Sequence, residues 1–246
     1  MNNNIENTLK WMKHHLNEAD NIVAVLGIEM VLEGGGKALL DNEETYRVED
    51  EYGYAPEEML TGAFYSAKRE KFYQFYKKEI ASMQVNPTAT HDALKQLQDK
   101  GKLKAIINTN YHEVPKYMGL NNIINLHGSL NENHCTKCHK MFNNSYMIKS
   151  EGVSLCDECQ SPIRPGIRLI DERVNDEVLT RAVHALERAD MVLYLGWIFT
   201  DEEIKYKTDR YVTQKRMAIG HNPSAVRAKL DFAVKGEVNK ILPRLL

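Results

Sequence analysis

The sequence predicts an α/β protein, a parallel sheet with helices on both faces plus a small helical and zinc-binding lobe. Three observations carry this. Short apolar runs recur along the 246 residues. Stretches with helical spacing separate them. Four cysteines fall as two C-x2-C pairs in a segment that fits neither pattern.

Residues Thr8 to Ala19 read as a polar opening helix with Leu9, Met12 and Leu16 on one stripe. The run Asn21 to Gly27, almost wholly apolar, has the composition of a strand covered on both faces, as parallel strands are. Similar runs are Leu103–Ile107, Ile123–Leu126 and Met191–Gly196, with weaker ones at Arg216–Gly220 and Phe232–Val234. Helical patterns lie between them. Ala67–Met83 carries Phe72, Phe75, Tyr76 and Ile80, an aromatic stripe read as helix core. Thr88–Lys100 carries Ala93, Leu94 and Leu97, and Asn175–Ala189 carries Val178, Ala182, Val183 and Leu186. Gly34–Phe64 and His134–Pro165 break the alternation and read as insertions forming a second lobe.

Composition narrows the classes of function. With 32 basic against 34 acidic residues and no basic tract, nucleic-acid capture by concentrated positive charge is not expected. The first sixteen residues hold no apolar core of a signal peptide, and no stretch is apolar for the roughly 20 residues that span a bilayer. A cytoplasmic protein without membrane partners is therefore expected. Thiols stay reduced there, which favours a metal over disulfides.

Cys135, Cys138, Cys156 and Cys159 read C-x2-C, seventeen residues, C-x2-C. Cysteines three apart can bend a turn around one ion, and two such knuckles give the four-thiolate tetrahedron of structural Zn²⁺. A closed shell leaves no position for water, so the ion is expected to hold a small loop-rich module rather than do chemistry. Upstream, the strand Ile123–Leu126 runs into His127-Gly128-Ser129. Ligands of open α/β sheets bind beyond the carboxyl ends of strands, so His127 stands where a general base would be placed. The plainer reading is a histidine hydrogen-bonded at a strand end.

Taken together these pieces resemble the sirtuin family. A strand ending in His-Gly, two C-x2-C pairs, and then Ile163-Arg164-Pro165 through Asp171-Glu172 follow the sirtuin order. Asn108-Thr109-Asn110-Tyr111-His112 stands where sirtuins have T-Q-N-I-D. Ala189 to Gly196 corresponds to the strand before G-T-S, and Asp231–Val238 with Ile241-Leu242-Pro243 to the C-terminal strand, turn and helix. The likeness runs from about Asn21 to Leu246. It implies a Rossmann-like NAD-binding domain from residues 1–33, 84–133 and 166–246, a helical insertion at 34–83 and a zinc module at 134–165. It further implies an NAD-dependent protein-lysine deacylase acting on an acyl-lysine protein or peptide, which passes the acyl group to ADP-ribose and releases nicotinamide. The alternative is a weak or inactive sirtuin-like module that holds a nucleotide or an acyl-lysine peptide. By the resemblance, His127 and Asn110 are catalytic. Gly27, Glu29, Asn110, His112, Gly196, Trp197, Gly220 and Val238 meet the cofactor, and Gly166, Ile167, Arg168 and Leu169 pair with the substrate backbone as a strand.

Departures from the family pattern gather on the cofactor contacts. In place of T-G-A-G-I-S the chain has Leu26-Gly27-Ile28-Glu29-Met30, and only the first glycine remains. Glu29 would bring a carboxylate toward two phosphates unless it points away or meets a ribose. Gly34-Gly35-Gly36 stands where the family has S-G-I, and Ala38-Leu39-Leu40 where it has D-F-R. His112 replaces an aspartate, Trp197-Ile198 replaces T-S, and Gly220 an asparagine. Tyr46-Arg47 lies in the acyl-pocket region; it reads either as a recognition pair for an acidic acyl group or as a solvated surface feature.

Overall fold

The computed structural model describes residues 2–196, 214–226 and 229–246. By internal contact the chain divides into two compact units. The first comprises Met1–Gly34, Asn86–Leu126 and Asn175–Leu246; the second comprises Gly35–Val85 and His127–Val174. Residues 127–133 and 166–174, expected with the sheet, thus group with the helical and zinc segments.

The first unit is built on a six-stranded sheet whose strands pair in parallel throughout. The strands are β1 (Ile22–Leu26), β2 (Leu103–Asn108), β3 (Ile123–Asn125), β7 (Met191–Leu195), β8 (Lys215–Gly220) and β9 (Phe232–Lys235). Their order is β3-β2-β1-β7-β8-β9. The first and fourth are buried at every position, as their unbroken apolar runs require. Leu9, Met12 and Leu16 of the helix Asn2–Glu18 pack into the same core as Ala93, Leu94 and Leu97 of the helix Ala89–Asp99. Thr88 caps that second helix and exchanges hydrogen bonds with His91 in a capping box.

From β1 the chain steps outward to β2 and β3, and only later fills the other side with β7, β8 and β9. The reversal falls between β1 and β7, and beyond the carboxyl ends of strands at such a switch point an open α/β sheet forms its ligand crevice.

The second unit contains a three-stranded sheet of β4 (Asn133–Cys135), β5 (Met141–Phe142) and β6 (Ile163–Arg164), in the order β5-β4-β6. Its helical part has an aromatic core in which Phe72, Tyr73, Phe75 and Tyr76 are fully buried. The expected single helix over 67–83 is instead a helix Gly62–Ala67, a break at Lys68, a helix Arg69–Phe75 and a wider turn of π type over Tyr76–Ala81. That last turn carries Glu79 into the interior, where its carboxylate accepts hydrogen bonds from the Tyr52 hydroxyl and the Arg47 guanidinium. Tyr73 donates its hydroxyl to the carbonyl of Ile163, tying the aromatic helix to β6. Among the described residues no helix is long and apolar enough to cross a membrane.

Candidate active site

In the first unit the site is assembled from loops that leave the carboxyl ends of β1, β2, β7 and β8. After β1, Gly27 gives its N–H to the carbonyl of Leu195, which continues the pairing with β7 for one residue. After β7, Gly196 adopts a left-handed φ of 85° and gives its N–H to Ile219 of β8. A Cβ on Gly196 would lie 2.8 Å from the Cβ of Glu29, and one on Gly220 would lie 3.0 Å from a Glu29 carboxylate oxygen. A side chain at either position would run into Glu29, and the left-handed backbone of Gly196 favours glycine on its own account.

Glu29 is only 4% exposed. Its carboxylate accepts the backbone N–H of His221 at 2.9 and 3.1 Å, and one oxygen lies 3.1 Å from the same residue's ring Nδ1. Four residues on, Glu33 accepts from the Thr90 hydroxyl at 3.0 Å and from the N–H of Asn239 at 3.0 Å. Burial pushes the Glu33 carboxyl above its ordinary range, against the pull of those bonds. Val238, fully buried, opens the short helix Val238–Ile241.

Beyond β2 the polar ends are asparagines. Asn108 is buried and spreads its amide over the carbonyls of Asn110 and His112, at 3.0 and 3.1 Å. Asn110, 8% exposed, donates its side-chain amide to the carbonyl of Gly27 at 2.9 Å. The β1 and β2 loops are thereby held to each other.

The second unit holds His127 and the zinc module. His127 is half-buried, and its carbonyl accepts the N–H of Arg168 at 2.8 Å. Ser129 gives its N–H to Gly166 at 2.9 Å, and Gly128 and Ile167 form an antiparallel bridge. Residues 127–129 and 166–168 are therefore laced as two short antiparallel strands. The buried Asn133 and the partly exposed pair Arg164–Glu172 set the lace. Asn133 accepts the N–H of Gly166 at 3.0 Å and donates its amide to the carbonyls of Leu130 and Phe142. Arg164 pairs with Glu172 at 2.7 Å, whose other oxygen accepts the N–H of Leu169 at 2.8 Å.

The four cysteine sulfurs lie within 4.8 Å of one another, 3.3 Å for Cys135 to Cys159 and 3.6 Å for Cys138 to Cys156. Sulfurs at about 2.3 Å from one ion would be spaced in this way, so the residues fit Zn²⁺. The two knuckles repeat one geometry. Cys135 and Cys156 give their N–H groups to the carbonyls of Lys140 and Ser161, and His139 and Gln160 give theirs back to Cys135 and Cys156. His139 and Gln160 both adopt left-handed backbone, with φ of 61° and 56°. Lys140 of one knuckle reaches Asp157 and Glu158 of the other at 2.8 and 2.9 Å.

The Sir2 family profile matches residues 44–199 of this chain, well over half of it. The chain belongs to the Sir2 family. A relative in Clostridium acetobutylicum named NAD-dependent protein deacetylase is 27% identical over 239 residues, covering 94% of this chain and 98% of that one. One in Archaeoglobus fulgidus named NAD-dependent protein deacylase 1 is 31% identical over 170 residues, covering 68% and 69%. A solved Sir2 structure bound to a propionylated peptide superimposes with a TM-score of 0.79 at 23% identity, over 96% of both chains, and shows the shared fold.

Within this Sir2 chain the structure brings Gly27, Glu29, Asn110, Gly196 and Gly220 together at the switch point. Trp197 lies outside the described residues. The reading of Tyr46-Arg47 as an acid-recognition pair does not hold. Tyr46 is exposed, and Arg47 is already engaged by Glu44, Glu51 and Glu79. Sequence reasoning also missed His221, Asn108 and Asn133. For the two asparagines a signal existed, since each is a polar residue set within or beside a buried strand. In this arrangement the Glu29 carboxylate fills the space in front of Gly196 and Gly220.

Proposed function

We propose that this Sir2 protein is an NAD-dependent protein-lysine deacylase. Overall, an acyl-lysine, the dinucleotide and one water would give free lysine, nicotinamide and an acylated ADP-ribose. One observation carries the reading: the likeness to relatives named NAD-dependent protein deacetylase runs over 94% of this chain and 98% of the relative. A module that merely holds its ligands is not favoured by relatives that are named as enzymes along their whole length.

Placement and chemistry support the following roles for individual residues. His127 would serve as general base, its imidazole able to take a proton from a ribose hydroxyl of the bound dinucleotide. Its backbone is fixed by the bond from Arg168 and by the bridge next to it, so the ring's attachment point is rigid. Asn110 positions the loop beyond β1 through its bond to Gly27. Residues 166–169 receive the peptide by strand addition, with Ile167 and Leu169 turned inward as anchors. A family structure bound to a propionylated peptide supports an acyl-lysine peptide as the substrate class.

The test is incubation of zinc-loaded protein with NAD and peptides bearing acetyl, propionyl and longer or acidic acyl groups, read by mass spectrometry. Nicotinamide and acylated ADP-ribose in equal amounts are expected. Undiminished NAD with every peptide would overturn the assignment.

A further inference from the structure

Glu29 stands at the place in the sheet where an open α/β fold receives a phosphate. Its side chain fills the gap in front of Gly196 and Gly220, and both its oxygens take the N–H of His221. The N–H groups of Gly27 and Gly196 are spent on the neighbouring strands. An incoming diphosphate would therefore meet a negative charge, occupied space, and a His221 donor already in use. The adjoining turn is pinned by Glu33 to Thr90 and Asn239, so making room requires the Glu29 side chain to rotate while the loop stays in place.

We infer that Glu29 is a built-in competitor for the cofactor's diphosphate, an anion of the chain's own that must leave its cradle before the dinucleotide can enter. The inference rests on the NAD-dependent reading and adds to it a residue that sets cofactor affinity. It also gives the two glycines a role that needs no bound nucleotide, since they make room for the resident carboxylate.

Calorimetric titration of the zinc-loaded protein with NAD, with ADP-ribose and with adenosine tests it. Glu29→Gly removes charge and bulk, and should tighten NAD and ADP-ribose about five- to a hundred-fold. Adenosine, which carries no phosphate, should bind wild type and variant alike. Glu29→Gln keeps the shape and loses the charge, so it should fall between wild type and Glu29→Gly; it also serves if the glycine variant folds poorly. Equal or weaker binding of NAD and ADP-ribose in both variants would overturn the inference, as would an equal gain for adenosine. The deacylase reading is judged separately by turnover of acyl peptide. Wild-type turnover with no gain in either variant removes Glu29 from the argument and leaves the enzyme. Tighter binding in the variants with no turnover in any protein keeps the competitor and removes the deacylase.

Discussion

Replacing Gly166 by alanine isolates one cause of rigidity beside His127. The backbone of Gly166 is not in the left-handed region, so a methyl group there adds no conformational strain of its own. It would, however, lie 2.4 Å from the carbonyl oxygen of Glu132 and 2.6 Å from that of Ser129, inside the 3.0 Å floor for such contacts. Both are backbone atoms, so no side chain can swing aside. Relief requires the 166–168 segment to move off 127–129. That breaks the bond from Ser129 to Gly166 at 2.9 Å and the bond from Gly166 to Asn133 at 3.0 Å. Two such bonds at about 1 kcal/mol each, with overpacking strain of about 1–3 kcal/mol, give a loss of roughly 3–5 kcal/mol. At about 2–4 °C per kcal/mol for a chain of this size, the melting temperature should fall by roughly 6–20 °C. Gly101→Ala is the control. Its Cβ meets nothing within 4 Å at a φ of 71°, so only the left-handed penalty of about 1–2 kcal/mol applies. Thermal denaturation followed by circular dichroism, on protein of checked zinc content, makes the comparison. A Gly166→Ala protein that melts no lower than Gly101→Ala would refute the packing argument.

Further outcomes follow from the same geometry. Protein purified without added metal should contain one zinc per chain, and Cys156→Ala should lose it together with solubility; under about half an equivalent in intact, reduced protein would exclude the site. His127→Ala should cut turnover per folded molecule by about 10²–10⁴-fold with zinc content and melting unchanged, whereas a structural histidine would show a folding defect instead. His91 is buried with Nδ1 facing the N–H of Thr88, and burial lowers its pKa to about 4. The unfolded chain takes up that proton near pH 6.5 and the folded chain resists until about 4. Stability is thus full above about pH 6.5 and declines as pH falls toward 4, by about 3 kcal/mol at most, a slope that His91→Gln should flatten in denaturant titrations at stepped pH. Glu79→Ala strands the Tyr52 hydroxyl and one side of Arg47 in the interior, and should cost about 1–3 kcal/mol in urea unfolding.

The sheet was readable because strands covered on both faces write themselves as unbroken apolar runs, and β1, β2 and β7 fall within one residue of their expected positions. The cysteine spacing carried the metal site for a similar reason, since two residues between ligands leave few other geometries. What escaped reading is what distance in the chain conceals. The bond between His221 and Glu29 joins residues 192 positions apart, and no local pattern announces it. Tyr76–Ala81 widens into a π turn without proline or glycine, because the interior demand it serves, a partner for Arg47 and Tyr52, lies in another helix. His127 was placed by its strand, yet its backbone answers to residues 166–168, which is why it groups with the second unit.

The pairing of β4 with β6 gives the metal a reach beyond its own shell. Cys135 lies opposite Ile163, and three residues after Ile163 the chain becomes Gly166, the partner of Ser129. An ion gripped at Cys135 thus sets the register of a strand whose continuation meets the His127 carbonyl. Metal content and catalytic competence would then be two readings of a single folding event. Without the ion the parallel sheet has its own core to rely on, whereas the pairing of residues 127–129 with 166–168 loses the anchor that sets its register.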